Sequence, residues 1–508
     1  MSTAFLSNEE LKAVRAQFPA LVTADATDDS PNSGYIYAEN AGGSQVLGSV
    51  ASSISSYLLN TNVQMANYPL AQSAEARVSL GTSAAATLLG SDSPDNVMIG
   101  QSATSLVASV AFMLEAKVLK DRDEGTNDGG WKEGDEIVIS DADHETNRGA
   151  WTRLAQRLGL VIKPWTVTRT QNASSSDDGN SSYAVALNPS TLKEVVGPKT
   201  KLVAFTACSN LLGHFTDISS AVSVIRSIAP QAIVAVDCVA FAPHRRILPL
   251  KWDADLAFFS LYKTYGAHVG AMYINPRLRH TLLSPLNHFF LQKPTTHIPG
   301  LYPFQSSSVQ YELNYSIAAV ADYLISLGTG KVGEGKQTTV DWNNVFTRTT
   351  SGSSVQVEAE GLVRMTKEQV DQALDVAFTK IAQHEAKLML IFIPFLLQYE
   401  RGNKGAVRIV GPEQFDAHTR APTVAFAIVD PVTGKHQVGT SKRIHQLLVQ
   451  GGKVGAQQGH MYAHKLVQSL NLDLQDGVVR LSFVHYNTVE EVQRTVELLG
   501  KVLDEVIL

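Results

Sequence analysis

Between about residue 36 and residue 285, short apolar runs alternate with longer stretches whose apolar residues recur at helical spacing. The runs are Asn96 to Ile99, Glu136 to Ser140, Leu160 to Lys163, Lys201 to Thr206, Ala232 to Val236, Leu256 to Ser260 and Ala271 to Ile274. This alternation predicts an α/β fold, a mainly parallel sheet covered by helices. Three stretches interrupt it with polar, Gly-rich or acidic sequence: Asp121 to Asp135, Gln171 to Tyr183, and Gly328 to about Arg364. They are expected to be surface insertions. Thr366, with Gln369 three residues later, opens a predicted helix of about thirty residues, and short strands and a final helix from Val489 follow. That succession predicts a second, smaller α+β domain. At the other end, Ser7-Asn8-Glu9-Glu10 precedes Leu11, Val14 and Phe18, a capping-box start to an amphipathic helix.

Composition narrows the picture. The 508 residues are 44% apolar and 18% charged, enough for a large buried core and unlike a disordered chain. Forty-two basic against 48 acidic residues leave a net charge of -6, so no field exists to hold a polyanion, and nucleic acid is not an expected partner. Two cysteines, Cys208 and Cys238, make neither a disulfide framework nor a four-thiolate metal site; their scarcity suits a reducing compartment, and a cytoplasmic location is expected. The longest apolar run, Leu388 to Leu397, contains Pro394 and falls far short of the ~20 residues that cross a bilayer. Neither a membrane anchor nor a signal peptide is expected. Gly330 to Lys336 comes close to a phosphate-binding loop, but Gln337 replaces the hydroxyl residue and no strand precedes it. His460 and His464 are spaced i,i+4 with no evident third ligand, so no metal site is expected.

Four features carry the candidate chemistry. Val97-Met-Ile-Gly100-Gln-Ser102-Ala103-Thr104 runs through small residues straight into a helix, so backbone N–H groups and the positive helix end are offered to an anion; an ordinary Thr104 N-cap is the plainer alternative. Asp237 follows the run AIVAV, where a carboxylate at the carboxyl edge of a parallel sheet faces the ligand crevice unless it merely caps a helix. Lys263 follows the run LAFFS; desolvation there would favour its neutral, nucleophilic amine, although most such lysines are solvated. His144, in Asp143-His144-Glu-Thr-Asn147-Arg148, brings a flat ring to the same edge, to cover a planar cofactor or to serve only the structure. One cofactor uses all four. Pyridoxal 5'-phosphate has a phosphate for the helix terminus, an aldehyde for the lysine, and a pyridine nitrogen for the carboxylate.

The same residues resemble a known family. Asn40-Ala-Gly-Gly-Ser-Gln, Asp143-His144, Ser209-Asn210-Leu-Leu-Gly213, Asp237, Asp253-Ala-Asp255, Tyr262-Lys263-Thr-Tyr-Gly266 and Arg480-Leu-Ser-Phe-Val-His-Tyr-Asn487-Thr look like class V aminotransferases, specifically the cysteine desulfurase-like group, over nearly the whole chain. The resemblance implies the fold type I architecture: a seven-stranded, mostly parallel sheet with helices on both faces, plus a smaller α+β domain built from both chain ends. Expected boundaries are an N-terminal segment at 1–35 packing with the small domain, a large cofactor domain at 36–327, the polar insertion at 328–364 and the small domain at 365–508. It also implies a homodimer with shared active sites, acting on an amino acid. By the same carry-over, Lys263 would form the Schiff base, Asp237 would pair with the pyridine nitrogen, and His144 would stack on the ring. Asn210 would bond the phenolic oxygen, and Ala103, Thr104 and Ser260 would hold the phosphate. Arg480 would take the substrate α-carboxylate in a forked contact. Asn40 and His244 join Arg480 as candidate substrate contacts, and Tyr262 and Ser308 join the cofactor contacts.

Departures from the family pattern bear on the reaction. Aligned through Gly459-His460-Met461-Tyr462-Ala463, Tyr462 falls where the family's desulfurases carry the loop cysteine that takes up sulfur. A phenol cannot carry a persulfide, and Cys208 and Cys238 follow strands of the large domain, so desulfuration by that route is disfavoured. Tyr262 stands for the histidine usually found before the lysine, and Ser307-Ser308 for a Gly-Thr pair that reaches the partner subunit's phosphate. Lyase-type chemistry at the β-carbon, including C–S cleavage, heads the expectations. Transamination or racemisation remains open, as does decarboxylative carbon–carbon bond formation. The last is suggested by Gly100-Gln-Ser-Ala-Thr, Leu286-Asn-His288-Phe and Ser482-Phe-Val-His485-Tyr, which are similar to the decarboxylative aldolase of the ustiloxin pathway that acts on aspartate. His288, like His244, is a candidate reader of the substrate side chain. A catalytically silent scaffold that binds a sulfur-transfer partner is the non-enzyme alternative.

Overall fold

A computed structural model describes residues 6–25, 33–126, 130–170, 183–286, 300–305, 308–333, 338–346, 361–401 and 405–507. Seven strands build the main sheet: β1 (Val97–Gly100), β2 (Glu136–Ser140), β3 (Val161–Trp165), β4 (Thr200–Thr206), β5 (Ile233–Asp237), β6 (Leu256–Ser260) and β7 (Gly270–Ile274). Their order is β1-β7-β6-β5-β4-β2-β3; β7 is antiparallel to both neighbours and the other pairs are parallel. Each apolar run of the sequence thus becomes a strand, with ends displaced by a residue or two where a neighbouring carbonyl extends the ladder.

The runs are apolar on consecutive residues because both faces are covered. Val203, Phe205, Val234, Val236, Ala257 and Phe259 point into one core, while Leu202, Ala204, Ile233, Ala235, Leu256 and Phe258 point into another. Alternate side chains on one strand therefore serve two helical layers. The helices include α2 (Gly48–Asn60), α3 (Pro69–Leu88), α4 (Ala103–Asp123), α5 (Glu145–Leu158) and α6 (Tyr311–Thr329); α1 (Asn8–Arg15) opens the chain with the expected Ser7–Glu10 capping box.

A third core lies under an antiparallel sheet of order β8-β9-β11-β10, formed by β8 (Val407–Val410), β9 (Thr423–Ile428), β10 (Gln457–Gly459) and β11 (Val478–Ser482). Two long helices, α7 (Lys367–Arg401) and α8 (Val489–Val506), flank it. α7 starts with the Thr366–Gln369 reciprocal cap and runs through Pro394, which marks the apolar run without ending the helix. Chain-start residues join this region. Ile36 and Tyr37 pair with Val454 and Gly455, and Arg15 donates to the Tyr486 carbonyl (2.8 Å) and pairs with Glu491 (3.1 Å).

Two stretches expected as surface insertions are partly built in. Buried Asp322 on α6 accepts from the Val340 N–H (3.0 Å) and the Trp342 indole (3.1 Å), and Trp342 and Val345 enter the core. α4 continues to Asp123, and Trp131 is buried beneath it with its carbonyl bonded to Arg122 (3.1 Å). Polar composition hid single tryptophans whose burial outweighs their neighbours. Of the expected insertion at 171–183, residues 171–182 lie outside the described residues, and Tyr183 is buried in the core.

Candidate active site

The carboxyl ends of β1, β2, β4, β5 and β6 converge on a cavity of about 650 Å³, closed on its far side by β10, β11 and the turn after β10. A parallel sheet aims successive strand ends at one crevice, so residues far apart in sequence meet there. Ala103, Thr104, His144, Asn210, Asp237, Ser260, Lys263 and Arg480 all line it.

Lys263 ends a 3-10 turn that leaves β6. The turn is braced by Tyr265, whose backbone sits in the left-handed region (φ 65°) with its N–H on Ser44 Oγ (2.7 Å). The Tyr265 hydroxyl meets the Pro243 carbonyl (2.9 Å) and His485 Nδ1 (3.1 Å), and Tyr323 meets His485 Nε2 (2.5 Å). Burial, aided by the charge of Arg480 and opposed by Asp237 and Glu39, pulls the Lys263 amine down to about 8. Asp237 is the last residue of β5; one oxygen takes the Val239 N–H (2.9 Å), and burial pushes the carboxyl up to about 6 against that bond and Lys263. The local bond the sequence left open therefore exists, and the carboxylate lines the cavity as well.

His144 likewise does both things. Its Nδ1 accepts the Thr146 N–H (3.1 Å) as the cap of α5, so the ring hydrogen sits on Nε2. Burial, then the charges of Lys263 and Arg480, pull it down to about 4, leaving a neutral ring at the cavity. At β1 the cap is Ser102, in a reciprocal bond with Ser105, and not Thr104. Ala103 and Thr104 therefore hold first-turn N–H groups, which have no intrahelical acceptor. Thr104 Oγ1 also bonds Thr146 Oγ1 (3.0 Å). Gly270 permits this arrangement, since a Cβ there would lie 2.6 Å from the Ala103 nitrogen.

Asn210 donates to the Met461 carbonyl (2.9 Å), while its buried Oδ1 has no partner among the described residues. Arg480, on β11, is 2% exposed; Nη1 donates to the Asn210 carbonyl (3.1 Å) and Nη2 to Glu39 (2.7 Å). The residues present fit pyridoxal phosphate: uncapped N–H groups for a phosphate, an amine of lowered basicity for an aldehyde, a buried acid for a ring nitrogen, and an orphaned amide between them.

Four sequence-derived assignments need correction or qualification. Asn40 is a structural clamp rather than a substrate contact: its amide donates to the Ser482 carbonyl (2.8 Å) and the Tyr37 carbonyl (3.2 Å), its oxygen accepts from Tyr486, and it does not line the cavity. His244 is buried on Glu385 (2.5 Å), outside the cavity lining, because the buried carboxylate needs a partner there. Tyr262 does not line the cavity; its ring stacks on His268 (3.9 Å between centroids) over Gly43. Ser308 is exposed and away from the cavity of this chain, and Ser307 and His288 lie outside the described residues.

The cavity also holds Glu39, Gln457 and Gln458, which the sequence reading passed over, and Cys208, which it set aside as a sulfur carrier. Glu39 was detectable as the acid directly before Asn40; the two glutamines carried no signal, being set by β10 alone. Burial pushes the Cys208 thiol well up, so it offers no thiolate. Tyr462, 66% exposed, sits on a turn with left-handed Met461 and Tyr462, held by Tyr462 N–H to His460 Nδ1 (3.1 Å) and Glu145 N–H to the Tyr462 carbonyl (2.8 Å).

The family described as Aminotransferase class-V matches residues 36–312. The "Aminotransferase-like protein FGM3" of Gibberella zeae is 30% identical over 98% of this chain and 99% of its own length. The "Cysteine desulfurase-like protein ustD" of Aspergillus flavus is 26% identical over 79% of this chain and 72% of its own. Among solved structures, the apo cysteine desulfurase from Thermococcus onnurineus NA1 shares the fold with a TM-score of 0.67, at 19% identity over 98% of both chains.

Proposed function

Since the chain belongs to the class V aminotransferase family and is a pyridoxal phosphate-dependent enzyme, we propose that it acts on an α-amino acid by lyase-type chemistry at the β-carbon, without a persulfide cysteine. The observation that carries this reading is the pairing of a low-basicity Lys263 with an opposed buried acid, Asp237, in a cavity whose one cysteine is held as a thiol. When bound, the cofactor supplies an electron sink for charge released at the substrate's α-carbon. Asp237 keeps a proton on the ring nitrogen through its carboxylate. Lys263 Nζ takes a proton from the α-carbon and returns one, being half neutral near pH 8. The neutral His144 ring covers one face and excludes water, and Asn210 orients the phenolic oxygen. Ala103, Thr104 and Ser260 hold the phosphate, with Ser308 reaching across to the phosphate of a second copy in a homodimer. Arg480 aligns the substrate by its α-carboxylate.

Decarboxylative carbon–carbon bond formation is the second reading, favoured by the Gly100-to-Thr104 run at the phosphate end of the cavity, which carries the aldolase-like sequence. The deciding experiment is an amino-acid panel with purified holoenzyme, scored by mass spectrometry. Pyruvate or sulfide from a β-substituted amino acid supports lyase chemistry; carbon dioxide with an aldehyde adduct from aspartate overturns it.

A further inference from the structure

Residues 38–41 are zipped along β11. The Ser482 N–H donates to the Ala38 carbonyl (2.7 Å), Asn40 N–H to the Ser482 carbonyl (3.3 Å) and Ala41 N–H to Ser482 Oγ (2.8 Å). This register carries Glu39 to Arg480, two residues before Ser482, and both line the cavity. The Glu39 carboxylate lies on the backbone of Gly42, where a Cβ would come within 2.2 Å of both its oxygens, so glycine makes room for it. Nη2 of Arg480, the atom Glu39 holds at 2.7 Å, belongs to both forked edges of a guanidinium. A carboxylate arriving on either edge meets Glu39.

Charge accounts for the rest. Among the described lining residues the lysine and arginine are Lys263 and Arg480, and the acids are Glu39 and Asp237. An amino acid with an uncharged side chain brings one carboxylate, which takes over Nη2. A dicarboxylic amino acid brings a second, for which the described lining holds no further lysine or arginine and to which Glu39 is a like charge in the same cavity. Resting on the assignment of Arg480 to the substrate α-carboxylate, we propose that Glu39 is a specificity-determining residue: it competes with the substrate for Arg480 and selects amino acids with uncharged side chains against dicarboxylic ones.

The test titrates wild-type and Glu39→Gln holoenzyme with L-alanine and L-aspartate, following the visible absorption of the cofactor. Removing the charge should tighten L-alanine roughly tenfold and L-aspartate at least threefold more than that. A ratio of affinities that moves less than threefold toward aspartate, or weaker binding of both, overturns the proposal. Glu39→Ala removes the same charge with less volume and carries the test if the glutamine variant fails to fold. Hydroxylamine, which has no carboxylate, separates the two levels of argument. If it shifts the absorption of all forms while the affinity ratio stays put, the Glu39 proposal alone fails; if it leaves wild type unchanged, the cofactor assignment fails and takes the proposal with it.

Discussion

The two walls of the cavity handle charge in opposite ways. On the main-sheet wall, Lys263, Asp237 and His144 stand at or just past strand ends, and burial moves each toward its neutral form, to about 8, about 6 and about 4. On the C-terminal wall, Arg480 is nearly inaccessible and is answered instead by Glu39 at 2.7 Å. The difference follows from the groups. An amine, a carboxyl and an imidazole can relieve desolvation by changing protonation, whereas a guanidinium cannot and requires a counter-charge. One wall is therefore equipped to move protons, the other to recognise a fixed charge.

That contrast can be broken most severely on the proton-moving wall. Lys263→Ala should abolish the borohydride-sensitive visible band and reduce turnover about a thousandfold or more; a retained band would remove Lys263 from its role. On the recognition wall, Arg480→Ala should leave the band intact while amino-acid affinity falls roughly a hundredfold, read by spectral titration. Equal loss of cofactor and substrate would make Arg480 structural. The pH dependence is the next effect in size. Since the neutral Lys263 amine is the reactive form and its folded value is depressed from 10.5 to about 8, cofactor uptake by apoprotein should rise with pH through a midpoint near 8 and level off roughly a unit above it. An inflection near 10 would mean the amine is solvated. The smallest effect belongs to Tyr462→Phe. With its side chain mostly exposed and its turn held through the backbone, turnover should change less than about twofold. A large loss would give the phenol a chemical part.

Legibility from sequence followed the same division. Every strand of the main sheet was visible, since helices on both faces require consecutive apolar residues and leave short runs of four to six, set apart by length from the longer run at 388–397 inside α7. Lys263, Asp237 and His144 were visible because each follows such a run within four residues. The second wall was harder. Arg480 came through family resemblance, and its partner Glu39 was overlooked: its place before Asn40 marked it as near a motif, but nothing in the spacing ties it to an arginine 441 positions away. His244 and Asn40 misled for the complementary reason. A polar residue near a motif has the same letter whether it faces a cavity or satisfies a buried acid or carbonyl. The buried Trp131 and Trp342 were lost among polar neighbours, where composition averages away one large side chain.

Sequence alone thus determined the α/β layering, the strands and the residues that leave their ends, since local periodicity and short-range order suffice for these. Tertiary structure decided which of those residues share one cavity, how far burial shifts Lys263, Asp237 and His144, and that Arg480 is held by Glu39. Desolvation and charge pairing depend on what the fold places within a few ångströms, and chain separation carries no record of that distance.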